Sequence, residues 1–82
     1  MIKPISIDVN SISNLSTGRL LNIYKINRKY LFQILSSAGF DTSNGGLNIN
    51  YSMADDYLYH DKEYNLISYI NECVKNELSI RE

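Results

Sequence analysis

Residues 16–49 constrain this chain most, because helix caps, an apolar stripe and a turn dipeptide follow one another there with little slack. Ser16 or Thr17 suits an N-cap, whose side-chain oxygen takes an orphan amide hydrogen of the first turn. The helix expected behind it covers residues 18–24, with Leu20, Leu21, Ile23 and Tyr24 on its apolar side. Asn27 is the next cap, and a second helix is expected over 28–38. There Leu31, Ile34, Leu35 and Ala38 fall on one stripe at helical spacing. Gly39 ends it as a left-handed C-cap residue. Asn44-Gly45 then reads as the centre of a two-residue hairpin turn, because both residues tolerate positive φ. Residues 40–43 and 46–51 flank it as strands, and Leu47, Ile49 and Tyr51 alternate with Asn48 and Asn50.

The flanks complete an α+β expectation. Ile5, Ile7 and Val9 alternate with Ser6, Asp8 and Asn10, the two-residue period of a half-buried strand, and Pro4 suits its start. That strand is available to pair with the hairpin. Residues 10–16 read as a Ser/Asn-rich loop anchored by Ile12 and Leu15. Beyond Gly46 there is no Gly or Pro. Ser52 followed by Asp55 resembles a capping box, so a helix is expected from about Met53. Leu66, Ile67, Ile70, Cys73, Val74 and Leu78 make residues 63–78 a strongly amphipathic helix. Residues 53–78 form either one helix or two with a break near residues 60–62.

The chain has 82 residues with 44% hydrophobic and 21% charged content, which suits a single globular domain with a small core. Its seven Tyr and no Trp place hydroxyl-bearing rings where one end meets water. A single cysteine, Cys73, permits neither an intrachain disulfide nor a Cys-based metal cage, so a reducing cytoplasmic setting is expected. The N-terminus lacks the apolar run of a secretory signal, and no membrane span is expected. Net charge is −1 but unevenly divided. Residues 1–40 carry Lys3, Arg19, Lys25, Arg28 and Lys29 against Asp8 alone, net +4. Residues 41–82 carry Lys62, Lys75 and Arg81 against eight carboxylates, net −5.

The run Leu20-Leu21-x-x-Tyr24-x-Ile26-x-x-x-x-Leu31-x-x-Ile34 resembles the apolar pattern of helix-turn-helix DNA-binding domains. In that pattern the apolar pair of the first helix packs on the second, and Ile26 plugs the corner between them. The hairpin that follows looks like the wing of winged-helix proteins. Lys25 stands where the turn usually has Gly, Leu21 where a small residue is common, and a strand replaces the usual preceding helix. The resemblance covers about 34 residues by spacing alone. It implies a small winged helix-turn-helix regulator, a dimeric repressor of transcription on double-stranded DNA, with helix 28–38 in the major groove. Base contacts would then fall to Asn27, Arg28, Lys29, Gln33 and Ser37, with Phe32 beside a thymine methyl or under the wing. Thr17, Arg19, Lys25 and Asn44 would hold phosphates, joined on the wing by Thr42 and Asn48. The terminal stripe, Leu66, Ile67, Ile70, Val74 and Leu78, offers a homodimer seam or simply covers the core.

Chemistry is sparse. Asp55, Asp56, His60, Asp61 and Glu63 are the only cluster of catalytic or metal-ligand types, and their spacing fits no metal motif. Carboxylates at a helix start meet the positive end of the dipole, which explains them more simply. Cys73 sits on an apolar face, no Gly-rich phosphate loop precedes a helix, and neither an enzyme nor a cofactor is expected. A second reading is a protein-interaction module (an inhibitor, antitoxin-like protein or adaptor) that turns its acidic, Tyr-rich segment 51–64 to a basic partner.

Overall fold

A computed structural model describes residues 2–82. The described residues contain three α-helices, two short 3-10 turns and no strand. The α+β winged-helix expectation is therefore overturned. Helix α1, Thr17–Ser37, is one uninterrupted helix of 21 residues, about 32 Å long. Helix α2 is Tyr51–Tyr57 and helix α3 is Lys62–Ile80.

The expected corner at residues 24–28 does not form, and the local sequence explains why. No Gly or Pro interrupts Tyr24-Lys25-Ile26-Asn27-Arg28, so nothing stops helix propagation. The buried stripe also runs straight through: Leu20, Ile23, Asn27, Tyr30 and Leu35 all face inward. Asn27 is a buried mid-helix residue, not a cap. Ser16 does cap α1, accepting from the Arg19 amide at 3.1 Å. At the other end Gly39 takes φ +93, and the Phe40 amide donates to Leu35 O at 3.0 Å while the Gly39 amide donates to Ser36 O at 3.0 Å. This is the paired bonding of a Schellman stop.

The hairpin wing is replaced by a coil. Asn44 and Gly45 do adopt positive φ, but so does Gly46, and successive i to i+3 bonds curl the backbone instead of returning it antiparallel. Asn50 then captures the chain for α2 by accepting from the Met53 amide at 3.1 Å, which removes residues 51 onward from any strand. Gly46 is required where it stands. A Cβ there would come within 2.6 Å of the Tyr51 hydroxyl and 2.9 Å of the Phe32 ring, so the loop lies directly on α1.

The N-terminal segment keeps the burial pattern of a strand without a sheet. Ile5, Ile7 and Val9 pack against the core while Lys3, Ser6 and Asp8 are exposed. The edge partner is a side chain. Asn27 accepts from the Ile5 amide at 2.7 Å and donates to Ile5 O at 2.9 Å, supplying the donor–acceptor pair a neighbouring strand would offer.

Helices α2 and α3 are separate, with Asp61 capping α3 through the Tyr64 amide at 2.9 Å. Asn65 closes the joint by donating to the carbonyls of Tyr59 and Asp61, both at 2.9 Å. Helices α1 and α3 pack antiparallel: Arg81 after α3 donates to Thr17 Oγ1 at 3.1 Å, while Tyr64 near the α3 start clusters with Leu35 near the α1 end. One core cluster joins Ile12, Leu20, Ile23 and Tyr30 to Ile67, Ile70 and Val74, and the other joins Leu35, Ile49, Ala54, Leu58 and Tyr64. Leu31 and Ile34 touch both. No described helix is long and apolar enough to cross a membrane.

Candidate functional site

The residues expected to read DNA are dispersed by the continuous α1. Asn27 is fully buried on the Ile5 backbone, so its amide faces the protein's own chain. Arg28 is exposed, yet it donates to Gly45 O at 2.8 Å and its guanidinium carbon lies 5.1 Å from the centre of the Phe32 ring. Gln33 accepts from the Ile2 amide at 3.2 Å, and Thr17 accepts from Arg81. Arg19, Lys25, Lys29 and Ser37 are exposed along α1, and Asn44 occupies the left-handed turn. Lys25 and Lys29 share an open groove with Leu21, Tyr24, Arg28 and Phe32. Thr42 and Asn48 belong to the coiled loop, where Asn48 donates to Asp41 at 3.4 Å. In that loop the hydroxyl and amide of Ser43 hold the Asp41 carboxyl below its ordinary pKa.

The proposed dimer seam serves the chain's own interior. Ile67, Ile70 and Val74 are buried against α1, and Leu78 packs on the same cluster. Leu66 alone of the five is exposed. Tyr69 is exposed on α3, where the Cys73 thiol beside it raises the pKa of its hydroxyl.

The acidic segment assembles differently. Asp61 is spent as the α3 cap, and His60 stacks on Tyr59 with ring centres 3.8 Å apart. Among the described residues no group of three or more His, Cys, Asp and Glu is placed to hold a metal ion. Exposed apolar mass, by contrast, gathers here. Leu47, Tyr51, Met53, Tyr57 and Tyr59 are five of the nine large hydrophobic side chains left exposed among the described residues. Met53, Tyr57 and Tyr59 are each at least 60% exposed, with Asp55 and Asp56 exposed between them. Helix α2 is short, so its inner face offers only Ala54 as a fully buried anchor, and Leu58 follows at its end. The Phe40 and Tyr57 rings meet edge to face with centres 6.1 Å apart.

A cleft of about 410 Å³ is lined by residues of α1, α2 and α3. Leu31, Leu35 and Phe32 line the α1 side, Ser68, Asn71, Glu72 and Lys75 the α3 side, and Tyr51, Asp55 and Tyr64 the α2 end. Burial, and then the nearby Asp55 and Tyr51, raise the pKa of the Tyr64 hydroxyl. Asn71 is 6% exposed and donates through Nδ2 to Tyr24 O at 3.2 Å. Because a carbonyl only accepts, the amide nitrogen must face Tyr24, which leaves Oδ1 as the free end. That oxygen is buried without a partner, a loss on the order of 1–3 kcal/mol.

Sequence reasoning missed both the cleft and Asn71. The signal was present: Asn71 interrupts the stripe Ile67, Ile70 and Val74 at a core position, as Asn27 interrupts that of α1. A polar residue at a buried helical position demands a partner. Searched against family models, curated proteins and solved structures, the chain matches none of them.

Proposed function

We propose that this chain is a small helical protein-docking module whose contact surface is α2 with its flanks, residues 47–59, and whose partner is a basic protein. The observation that carries the reading is the concentration of exposed Tyr, Met and Leu side chains among unpaired carboxylates on that short segment. Exposed aromatic and Met side chains are the composition of interface cores, while Asp55 and Asp56 set the preferred sign of the partner. Their rings lose little conformational freedom on docking. No ion pair among the described residues engages Asp55 or Asp56, so both remain available.

Nucleic-acid contact through α1 has weaker support. Its exposed cations are Arg19, Lys25, Arg28 and Lys29, with Arg28 held by Gly45 O, and so few phosphate contacts mean weak, salt-sensitive binding.

Affinity capture with the wild-type chain and the double variants Met53→Asp/Tyr57→Ser and Lys25→Glu/Lys29→Glu separates the two readings. The docking reading expects a specific basic protein on wild type and on the lysine variant, with retention falling at least about 30-fold on the α2 variant, as for a hot spot of about 2 kcal/mol. A parallel gel shift at low salt expects no discrete DNA complex. Capture unaffected by the α2 variant, or DNA binding lost in the lysine variant, would overturn it.

A further inference from the structure

We infer that the outward face of α1 from Leu21 to Phe32 is a second docking surface, and that its occupant is an acidic amphipathic helix of another protein. This surface is independent of the α2 reading, because it lies on a different element and prefers the opposite charge.

A helix that only covers a core needs one apolar stripe, and α1 carries two. The inward stripe includes Leu20, Ile23, Asn27 and Tyr30. The second, Leu21, Tyr24 and Phe32 with Arg28 drawn over the Phe32 ring, recurs at spacings of three and four residues. These four side chains line an open groove with Lys25 and Lys29, and no other element contributes to that lining. Leu21 is 54% exposed, and Tyr24 and Phe32 are part-buried, so apolar surface stands uncovered here. From Leu21 to Phe32 the face runs about 16 Å, or three helical turns.

Charge names the occupant. Helix α1 carries Arg19, Lys25, Arg28 and Lys29 and no Asp or Glu in its 21 residues. The only ion pair among the described residues joins Arg81 to Glu77, which leaves all four of these cations unpaired. Arg28 spends one donor on Gly45 O, so Lys25 and Lys29 carry most of the recognition. They lie one turn apart and form one edge of the face, with Tyr24 on the other. Carboxylates one turn apart on an incoming helix meet those lysines, while its apolar stripe covers Leu21, Tyr24 and Phe32. A nucleic acid would use the cations and leave Leu21 in water, and so few phosphate contacts hold it weakly. The chain's own acidic helix, α2, spans 7 residues and about 10 Å, too short for three turns, so the occupant belongs to another protein.

The probe is a blocked model helix, acetyl-Glu-Leu-Glu-Glu-Leu-Leu-Glu-Glu-Leu-Glu-Glu-Leu-Leu-Glu-amide, titrated into the isotopically labelled full chain at low salt. NMR signals of Leu21, Tyr24, Lys25, Lys29 and Phe32 are expected to shift saturably, with those of Tyr57 and Tyr59 unmoved. A Gln-for-Glu counterpart tests the charge, and a scrambled peptide of the same composition tests the apolar stripe. Each is expected to bind at least about tenfold more weakly. Leu21→Ser changes an exposed side chain and is expected to weaken binding about tenfold. Lys25→Glu/Lys29→Glu is expected to abolish it. The Lys-for-Glu peptide should in turn bind that double variant, a reversal that an unfolded chain would not show. Met53→Asp/Tyr57→Ser should leave the peptide's affinity unchanged, so this inference and the α2 reading fail separately. Equal binding of the scrambled peptide, or shifts centred on α2, would overturn the inference. Tighter binding of oligothymidylate or phosphatidylserine vesicles at the same residues would overturn the assignment to a protein helix. Self-association of the chain that the double lysine variant abolishes would do the same, by showing a second copy on this face.

Discussion

The α1–α3 pair and the segment 41–60 obey different economies of burial within one small chain. Along α1 and α3 apolar side chains fill most inward positions, and of the two polar intruders Asn27 has both ends of its amide bonded while Asn71 leaves only its Oδ1 unpartnered. In segment 41–60 only Gly46, Ile49, Ala54 and Leu58 are buried, and large apolar side chains point outward. The first region looks after its own stability. The second is held in place by local devices: the Asn50 cap, the Gly46 seat on Phe32, and the Asn65 clasp. A region whose apolar side chains exceed what its own fold covers is suited to contact another molecule.

The largest expected effect comes from breaking the scaffold. Leu20→Ala removes a fully buried side chain at the centre of the first cluster and is expected to cost about 2–5 kcal/mol. Urea unfolding should show a lower midpoint by both helical and tyrosine signals, because segment 41–60 leans on α1. A surviving α2 signal after α1 melts would break that dependence.

Gly46→Ala probes the loop instead. Its φ of +80 and the crowding against Tyr51 and Phe32 predict a loss of about 1–3 kcal/mol. The structural change should stay local, with NMR shifts at Phe32 and Tyr51 and none at Ile70 or Val74.

A smaller effect appears with pH. Burial raises the Tyr64 hydroxyl above its ordinary pKa, and burial followed by Glu63 does the same for Tyr30. For such a group the stabilisation is fully present below the unfolded value of about 10 and is lost as pH rises through the folded value. The urea midpoint should therefore hold at neutral pH and fall on the alkaline side, with a shallower fall in Tyr64→Phe. The smallest stability effect belongs to the docking surface itself. Met53→Asp alters a side chain in solvent and is expected to move the unfolding free energy by no more than about 0.5 kcal/mol.

Much of the helical content was legible in the sequence. The Ser16 cap, the Gly39 stop, the α3 stripe and the positive φ of Asn44-Gly45 each follow from local chemistry, and each is present. The errors came from reading local signals as topology. Asn27 has the side chain of a helix cap, but a cap also requires the preceding residues to leave the helix, and Tyr24-Lys25-Ile26 have no reason to. The alternation of Leu47, Ile49 and Tyr51 resembles a strand, yet Leu47 is 85% exposed because the loop coils and Asn50 caps a helix three residues later. The alternation at Ile5, Ile7 and Val9 did report one-sided burial, but no periodicity reveals that its hydrogen-bonding partner is an Asn side chain 22 residues away. The acidic Tyr-rich segment was visible as composition. Its outward display was not, since that depends on how short α2 is and on its burying only Ala54.

The most direct test is the footprint of the captured partner on the isotopically labelled chain. Titration should broaden or shift signals of Leu47, Met53, Asp55, Tyr57 and Tyr59 first and most, leaving Lys25 and Lys29 unmoved. A footprint centred on Leu21, Lys25 and Lys29, with the α2 signals unchanged at saturation, would contradict the account.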